Sequence, residues 1–492
     1  MSRYESTRNK SIDVTSTEAI LQGISKEGGL FVPKILPKMD FELSEILDFD
    51  YQTLAYRVMS LFFPDFKEED LKSCIGRAYD EKFDTPTIAP LKSIESAHFL
   101  ELFHGPTLAF KDMALSILPY LMTTSKSYEG EEKEIVILTA TSGDTGKAAL
   151  EGFANVAGTK IIVFFPEEGV SDIQKRQMTT QKGDNTCVVG IKGNFDDAQT
   201  GVKEIFADKA LEEELSQKGY VFSSANSINI GRLVPQVVYY FYAYSQLVNE
   251  GSLQLGEPMN VVVPTGNFGN ILAAFYAKSM GLPINKFICA SNKNNVLTEF
   301  FDKGVYDRRR DFFVTNSPSM DILISSNLER FLYHMSNEDT ELVTKLMCQL
   351  KTEGYYTVTD EMKENMKLFV GGYADDETTL HTIKKVYNEE NYLMDTHTAV
   401  AYAVYENYKQ ETGDMTPAVI ASTASPYKFT GSVMGALGDE YKEKNDFELL
   451  KEMENLLKEQ MPQGIRDIEN MPVVHKTICE VNKMKEVVTN FL

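Results

Sequence analysis

Apolar residues along this chain fall into short β-branched runs separated by stretches with helical spacing. The runs lie at Glu134–Thr139, Lys160–Phe165, Cys187–Ile191, Tyr220–Ser223, Asn260–Val263, Phe287–Ala290 and Ala418–Ala421. Between most of them sit Thr145–Val156, Asp197–Gln217, Arg232–Val248 and Phe268–Met280, whose apolar positions recur at three and four residues. Strands alternating with helices predict an α/β fold with mainly parallel sheets flanked by helices. Residues 1–90 have a different texture. Glu27-Gly28-Gly29 reads as a turn, Leu30–Val32 as a strand, and Tyr51–Phe63 and Lys67–Phe83 as amphipathic helices. Beyond residue 300 the strand signal nearly vanishes, and Asp339–Leu350, Met362–Phe369 and Glu377–Glu389 read as solvated helices. The expected organisation is an N-terminal domain over 1–90, an α/β core over 91–300 and a helical insertion over 301–412. Residues 413–492 then return to the core and end in charged helices.

Charge narrows the function classes. The chain of 492 residues carries 72 acidic and 49 basic side chains, a net −23. A nucleic-acid partner needs a basic face, and an anionic membrane surface would repel this chain, so neither partner is expected. A small anionic substrate remains possible where a local pocket is positive. The five cysteines are scattered, with no metal-site or thioredoxin-like spacing, and the six histidines form no metal pattern. No metal site is expected. The opening MSRYESTRNKS lacks the apolar core of a secretory signal, and no apolar run approaches the ~20 residues needed to cross a bilayer. A cytoplasmic location is the expectation.

Three segments have unusual loop chemistry. Pro264–Asn270 follows a strand and opens a helix, and its two glycines let backbone N–H groups converge on an oxyanion. It lacks the third glycine of a dinucleotide fingerprint. Thr141–Lys147 also lies between strand and helix. Its glycine spacing fails as a Walker loop, and Ala148 stands where Ser or Thr should be, but its hydroxyls suit a carboxylate. An ordinary N-capping turn is the competing reading. In His104–Asp112, Lys111 stands between an apolar run and a helix over Asp112–Leu118. Burial and the helix N-terminus would both disfavour its ammonium form and make the amine a better nucleophile. His104 could line the same pocket, or be a structural hydrogen-bonded histidine.

A lysine, a Ser/Thr-rich carboxylate loop and a Gly-rich phosphate loop, in that order, are the parts of a pyridoxal-phosphate site. The sequence resembles the threonine synthase family, of the tryptophan-synthase-β-like (fold type II) class. The resemblance runs through Tyr4–Arg8, Glu27–Pro33, Phe103–Asp112, Ser142–Gly146, Asn226–Asn229, Gly266–Asn270 and Thr423–Phe429. The insertion resembles that of the family's long form. The resemblance implies pyridoxal 5'-phosphate as cofactor and Lys111 as its Schiff-base lysine. It implies that Gly266, Asn267, Phe268, Gly269 and Asn270 cradle the cofactor phosphate, with Asn270 capping the next helix. Thr423 would face the pyridine nitrogen. Ser142, Gly143, Asp144 and Thr145 would hold the substrate carboxylate, with the Asp144 charge pointing away from it. Asn226, Ser227, Arg232 and Lys428 are implied candidates for the substrate phosphate. The implied reaction converts O-phospho-L-homoserine and water to L-threonine and phosphate, in a monomer or homodimer. A phospho-lyase of the same ancestry and an inactive binding protein remain alternatives.

Overall fold

The computed structural model describes residues 3–141, 143–168 and 170–492. Two sheets organise it. The first has six strands in the order Phe369–Tyr373, Ile284–Ser291, Met259–Pro264, Ala418–Ser422, His98–Glu101 and Leu91–Ser93. All neighbours are parallel except the last pair. The second has five parallel strands in the order Thr477–Glu480, Thr186–Lys192, Thr159–Pro166, Glu134–Ala140 and Tyr220–Ser223. The central strands are buried on both faces, which is why they read as unbroken apolar runs rather than alternating ones.

Every strand expected from the apolar runs is present, within a few residues at each end. The segment 301–412 departs from a purely helical insertion. It supplies the hairpin Val305–Asp307/Tyr355–Thr357, and its strand Phe369–Tyr373 joins the six-stranded sheet beside Ile284–Ser291. Its helix Thr396–Thr412 packs on that sheet's central strands. The charged C-terminal region likewise contributes the strand Thr477–Glu480. The stretch 197–217 is two helices, Phe195–Ala207 and Lys209–Gln217, because the Asp208 carboxylate accepts from Leu211 N and caps the second.

The N-terminal residues form a three-stranded antiparallel sheet, Asn9–Val14, Tyr4–Ser6 and Phe31–Pro33. It is tied to the helix Leu328–Met335 by charge. Arg8 donates twice to Glu329, at 2.8 and 2.6 Å. The fully buried Arg330 donates to Phe31 O at 2.9 Å, Ile228 O at 2.6 Å and Asn327 Oδ1 at 2.6 Å. Two remote segments and the arginine's own helix start thus share one guanidinium, whose planar fork suits three fixed acceptors. Among the described residues no helix is long and apolar enough to cross a membrane.

Candidate active site

The loops that follow the strands Glu134–Ala140, Met259–Pro264 and Ala418–Ser422 all lie at the carboxyl ends of parallel strands, where open α/β sheets bind ligands. Lys111 reaches this region because its own segment is pinned to the third loop. Phe110 N donates to Thr423 O at 2.8 Å, and Ser425 N donates to Leu108 O at 3.0 Å. Behind it, the buried Asp112 carboxylate accepts from Thr107 N at 2.8 Å and Thr107 Oγ1 at 2.6 Å. A Cβ on Gly105 would stand 2.5 Å from the Asp112 Cβ, so only glycine lets the turn close that tightly. Burial raises the Asp112 carboxyl to about 6.

The Lys111 ammonium lies 3.4 Å from Asp144 Oδ2, and Lys428 Nζ lies 3.2 Å from Asp144 Oδ1. Lys428 also donates to Thr107 O at 2.7 Å. The Asp144 carboxylate therefore points into the cluster between two ammonium groups. The physical reason is mutual: a buried carboxylate needs cations, and buried ammonium groups need an anion. Burial alone would raise the Asp144 carboxyl, but Lys428 and Lys111 outweigh it and hold it far below the usual range. Burial pushes Lys111 down, Asp144 opposes this, and Lys428 and Arg232 reinforce it.

The rest of the 141–147 loop is closed by Thr141, whose Oγ1 accepts from Gly143 N and Gly146 N, both at 3.0 Å. Asp144 is not a side-chain cap: the helix Asp144–Phe153 starts at Gly143 without one. Gly143 has φ 152°, and Thr145 is half-buried on the first turn. Ser142 lies outside the described residues. Lys147 is buried and turned toward Glu151, at 2.9 Å, and Gln181.

In the Gly266–Asn270 loop, the left-handed residue is Phe268, φ 65°, rather than either glycine. Its ring is locked among Phe301, Phe331 and Phe369, which stabilises that conformation. A Cβ on Gly266 would stand 2.8 Å from Ser319 O, whereas one on Gly269 would meet nothing closer than 3.5 Å. Asn267 is exposed, and its carbonyl accepts from Asn327 N at 3.0 Å and Asn327 Nδ2 at 3.1 Å. Asn270 does not cap the helix Gly269–Met280. Its Oδ1 accepts from Tyr240 OH, and its Nδ2 is buried without a partner. Arg232 is buried too. Its Nη1 donates to Ala225 O at 2.9 Å, its Nε has no partner, and burial lowers it to about 10. The orphaned Asn270 Nδ2, on a glycine loop that opens a helix, fits an anionic cofactor group, and the orphaned Arg232 Nε is a second donor free for an anion. Asn226 is exposed and Ser227 half-buried, with Ser227 O accepting from Asn327 Nδ2 at 3.2 Å. Thr423 is buried at the end of its strand.

Three residues escape sequence reasoning. Gln174 Nε2 donates to Asp144 Oδ1 at 3.1 Å, and Ser319 Oγ donates to Asp144 Oδ2 at 3.0 Å. His397 Nε2 accepts from Ser319 N at 3.1 Å. Gln174 belongs to a capped helix, Asp172–Thr179, and His397 to the Asp395-capped start of Thr396–Thr412. Those caps were the only local signal. His104 is not part of this cluster. It bridges Asp84 at 2.6 Å and Glu101 at 3.0 Å, which raise it to about 9 against its burial. Among the described residues no group of three or more His, Cys, Asp or Glu could hold a metal ion.

Comparison with known proteins gives this geometry its context. Three family models match in sequence: threonine synthase N terminus over residues 3–79, pyridoxal-phosphate dependent enzyme over 94–423, and threonine synthase C-terminal over 398–479. The chain is 37% identical over 465 residues to threonine synthase of Saccharomyces cerevisiae, covering 88% of this chain and 89% of that protein. It is 39% identical over 438 residues to human threonine synthase-like 1, covering 86% of this chain. It spans only 58% of the length of that relative. The crystal structure of a PLP-bound threonine synthase from Brucella melitensis superimposes with a TM-score of 0.88 at 34% identity, covering 100% of this chain and 99% of that one. The yeast threonine synthase structure also gives 0.88, at 35% identity, covering 99% and 97%. The chain belongs to the threonine synthase family of pyridoxal-phosphate-dependent enzymes.

Proposed function

We propose that this protein converts O-phospho-L-homoserine and water to L-threonine and phosphate. The reading rests on one observation: two cationic side chains, Lys111 and Lys428, share a single carboxylate, Asp144, and a third, Arg232, lies close enough to Lys111 to act on its charge. On a chain of net charge −23, that local positive excess suits a small amino acid bearing a phosphate.

Pyridoxal phosphate, when bound, supplies the electron sink that lets protons leave carbon. The chain's own residues do the rest. Lys111 is the residue to hold the cofactor's aldehyde carbon, and as a free amine to take protons from Cα and Cβ of the substrate. Backbone N–H groups of Gly266–Asn270, with the Asn270 amide, would hold the cofactor phosphate, and Thr423 would meet the pyridine nitrogen. Gly143 and Thr145, at the start of the helix Asp144–Phe153, would hold the substrate carboxylate. Asp144 is assigned to keeping Lys111 and Lys428 in place. Arg232, with its unpartnered Nε, would take the leaving phosphate, on which charge builds as the bond to Cγ breaks. Asn226 and Ser227, in the loop that precedes Arg232, would complete that pocket.

The test is to supply O-phospho-L-homoserine to the cofactor-loaded protein and identify products. Threonine and phosphate in equal amounts support the reading. A 2-oxo acid with ammonia would replace it with elimination alone, and no phosphate release would leave a binding protein.

A further inference from the structure

Ser319, in the turn Pro318–Met320, touches two parts of the site at once. Its Oγ donates to Asp144 Oδ2 at 3.0 Å, the same oxygen that faces Lys111 at 3.4 Å. Its carbonyl stands against Gly266 in the phosphate loop. Its N–H donates to His397 Nε2 at 3.1 Å. A backbone N–H only donates, so that imidazole nitrogen is the bare one and Nδ1 carries the hydrogen. The Nδ1 hydrogen goes to Asp395 Oδ2, at 2.7 Å. Asp395 is itself fixed: fully buried, it also accepts from His397 N at 2.9 Å and Thr398 N at 3.1 Å. The histidine is 2% exposed and packs on the Phe429 ring at 4.8 Å. An aspartate, a histidine of set tautomer and a serine thus run in series to the lysine's counter-ion, and no step of the reaction uses them.

We propose that His397, oriented by Asp395, is a positioning residue: it fixes Ser319 so that Asp144 Oδ2 is shared between the serine hydroxyl and Lys111. The proposal rests on reading Lys111 as the cofactor-bearing lysine. A carboxylate oxygen that accepts a hydrogen bond spreads its charge and grips a neighbouring ammonium less firmly. That grip matters because Lys111 reacts only as a free amine. The charged groups facing Lys111 are Asp144, Lys428 and Arg232, and of these only Asp144 favours the ammonium. Those around His397 are Asp395, with Asp144 and Asp321 in its field. Freed from His397, Ser319 would release Oδ2 to Lys111, which would then keep its proton to higher pH.

The experiment follows acetylation of Lys111 by acetic anhydride across pH in the cofactor-free protein, quantified by peptide mass spectrometry, and repeats it on the cofactor-loaded native protein as a protection control. Ser319→Ala and His397→Leu should each raise the midpoint by about one pH unit, the worth of one hydrogen bond to a carboxylate. His397→Gln, whose amide oxygen can accept the Ser319 N–H, should stay near the native midpoint. Ser319 is half-buried and its hydroxyl is small, so Ser319→Ala remains decisive even where His397→Leu fails to fold. An unshifted midpoint in folded Ser319→Ala overturns the proposal. Failure of the loaded cofactor to protect Lys111 in the native protein is a different failure, which removes the lysine assignment and the proposal with it.

Discussion

Replacing Asp144 by Asn tests the electrostatic centre of the site. The substitution keeps the shape and removes one charge shared by two ammonium groups, at 3.4 Å for Lys111 and 3.2 Å for Lys428. At an effective dielectric of about 20, each attraction is roughly 5 kcal/mol before desolvation is counted. Much of that offsets the cost of burying three charges, so the net loss should be about 3–5 kcal/mol, typical of a buried ion pair robbed of one partner. The carboxyl of Asp144 is depressed in the folded state, so its stabilisation is fully present above the ordinary carboxylate range and persists far into acid. At the alkaline end the benefit fades as Lys111, whose ammonium is disfavoured by burial, loses its proton. Urea unfolding of cofactor-free native and Asp144→Asn protein, compared from pH 6 to pH 10, should show the largest gap near neutrality and a smaller one at high pH. A gap under about 1 kcal/mol at pH 7 would refute the argument, because the lysines would then not depend on this carboxylate.

Three further outcomes are expected. Lys111→Ala should abolish turnover yet still bind cofactor through the 266–270 loop, and borohydride-trapped cofactor in the native protein should map to Lys111 and not to Lys147, which is held by Glu151. Gly266→Ala should weaken cofactor binding at least tenfold, since its Cβ meets Ser319 O at 2.8 Å, while Gly269→Ala should leave the cofactor-free fold unchanged; cofactor titration by absorbance and thermal melting decide both. Arg232→Lys should lower kcat as well as raise KM, because Lys lacks the Arg fork and the charge grows as phosphate departs; steady-state kinetics with both constants within about twofold of native would send the phosphate assignment to Lys428.

The central strands were legible because burial on both faces writes them as continuous apolar runs. Of the four edge strands only Tyr220–Ser223 was. Phe369–Tyr373 carries two glycines and Thr477–Glu480 is mostly exposed, so each presents a polar or broken pattern that only its partner in the sheet resolves. The same division holds in the site. Lys111, Asp144 and the glycine loop sit in contiguous motifs whose residue types declare a chemistry. Ser319, Gln174 and His397 reach Asp144 or its partner from 175, 30 and, through Ser319, 78 residues away, and no local pattern encodes such meetings. One local expectation failed for a physical reason. Asn270 looked like a cap, but the buried Tyr240 hydroxyl offered its side chain a partner away from the helix N–H groups.

The most direct test of the proposed reaction is to run O-phospho-L-homoserine with the cofactor-loaded protein in water labelled with heavy oxygen. The account predicts threonine carrying one heavy oxygen, in the β-hydroxyl, with unlabelled phosphate released by carbon–oxygen cleavage at Cγ. Label in the phosphate with homoserine as product would contradict it, as would a 2-oxo acid with ammonia in place of threonine.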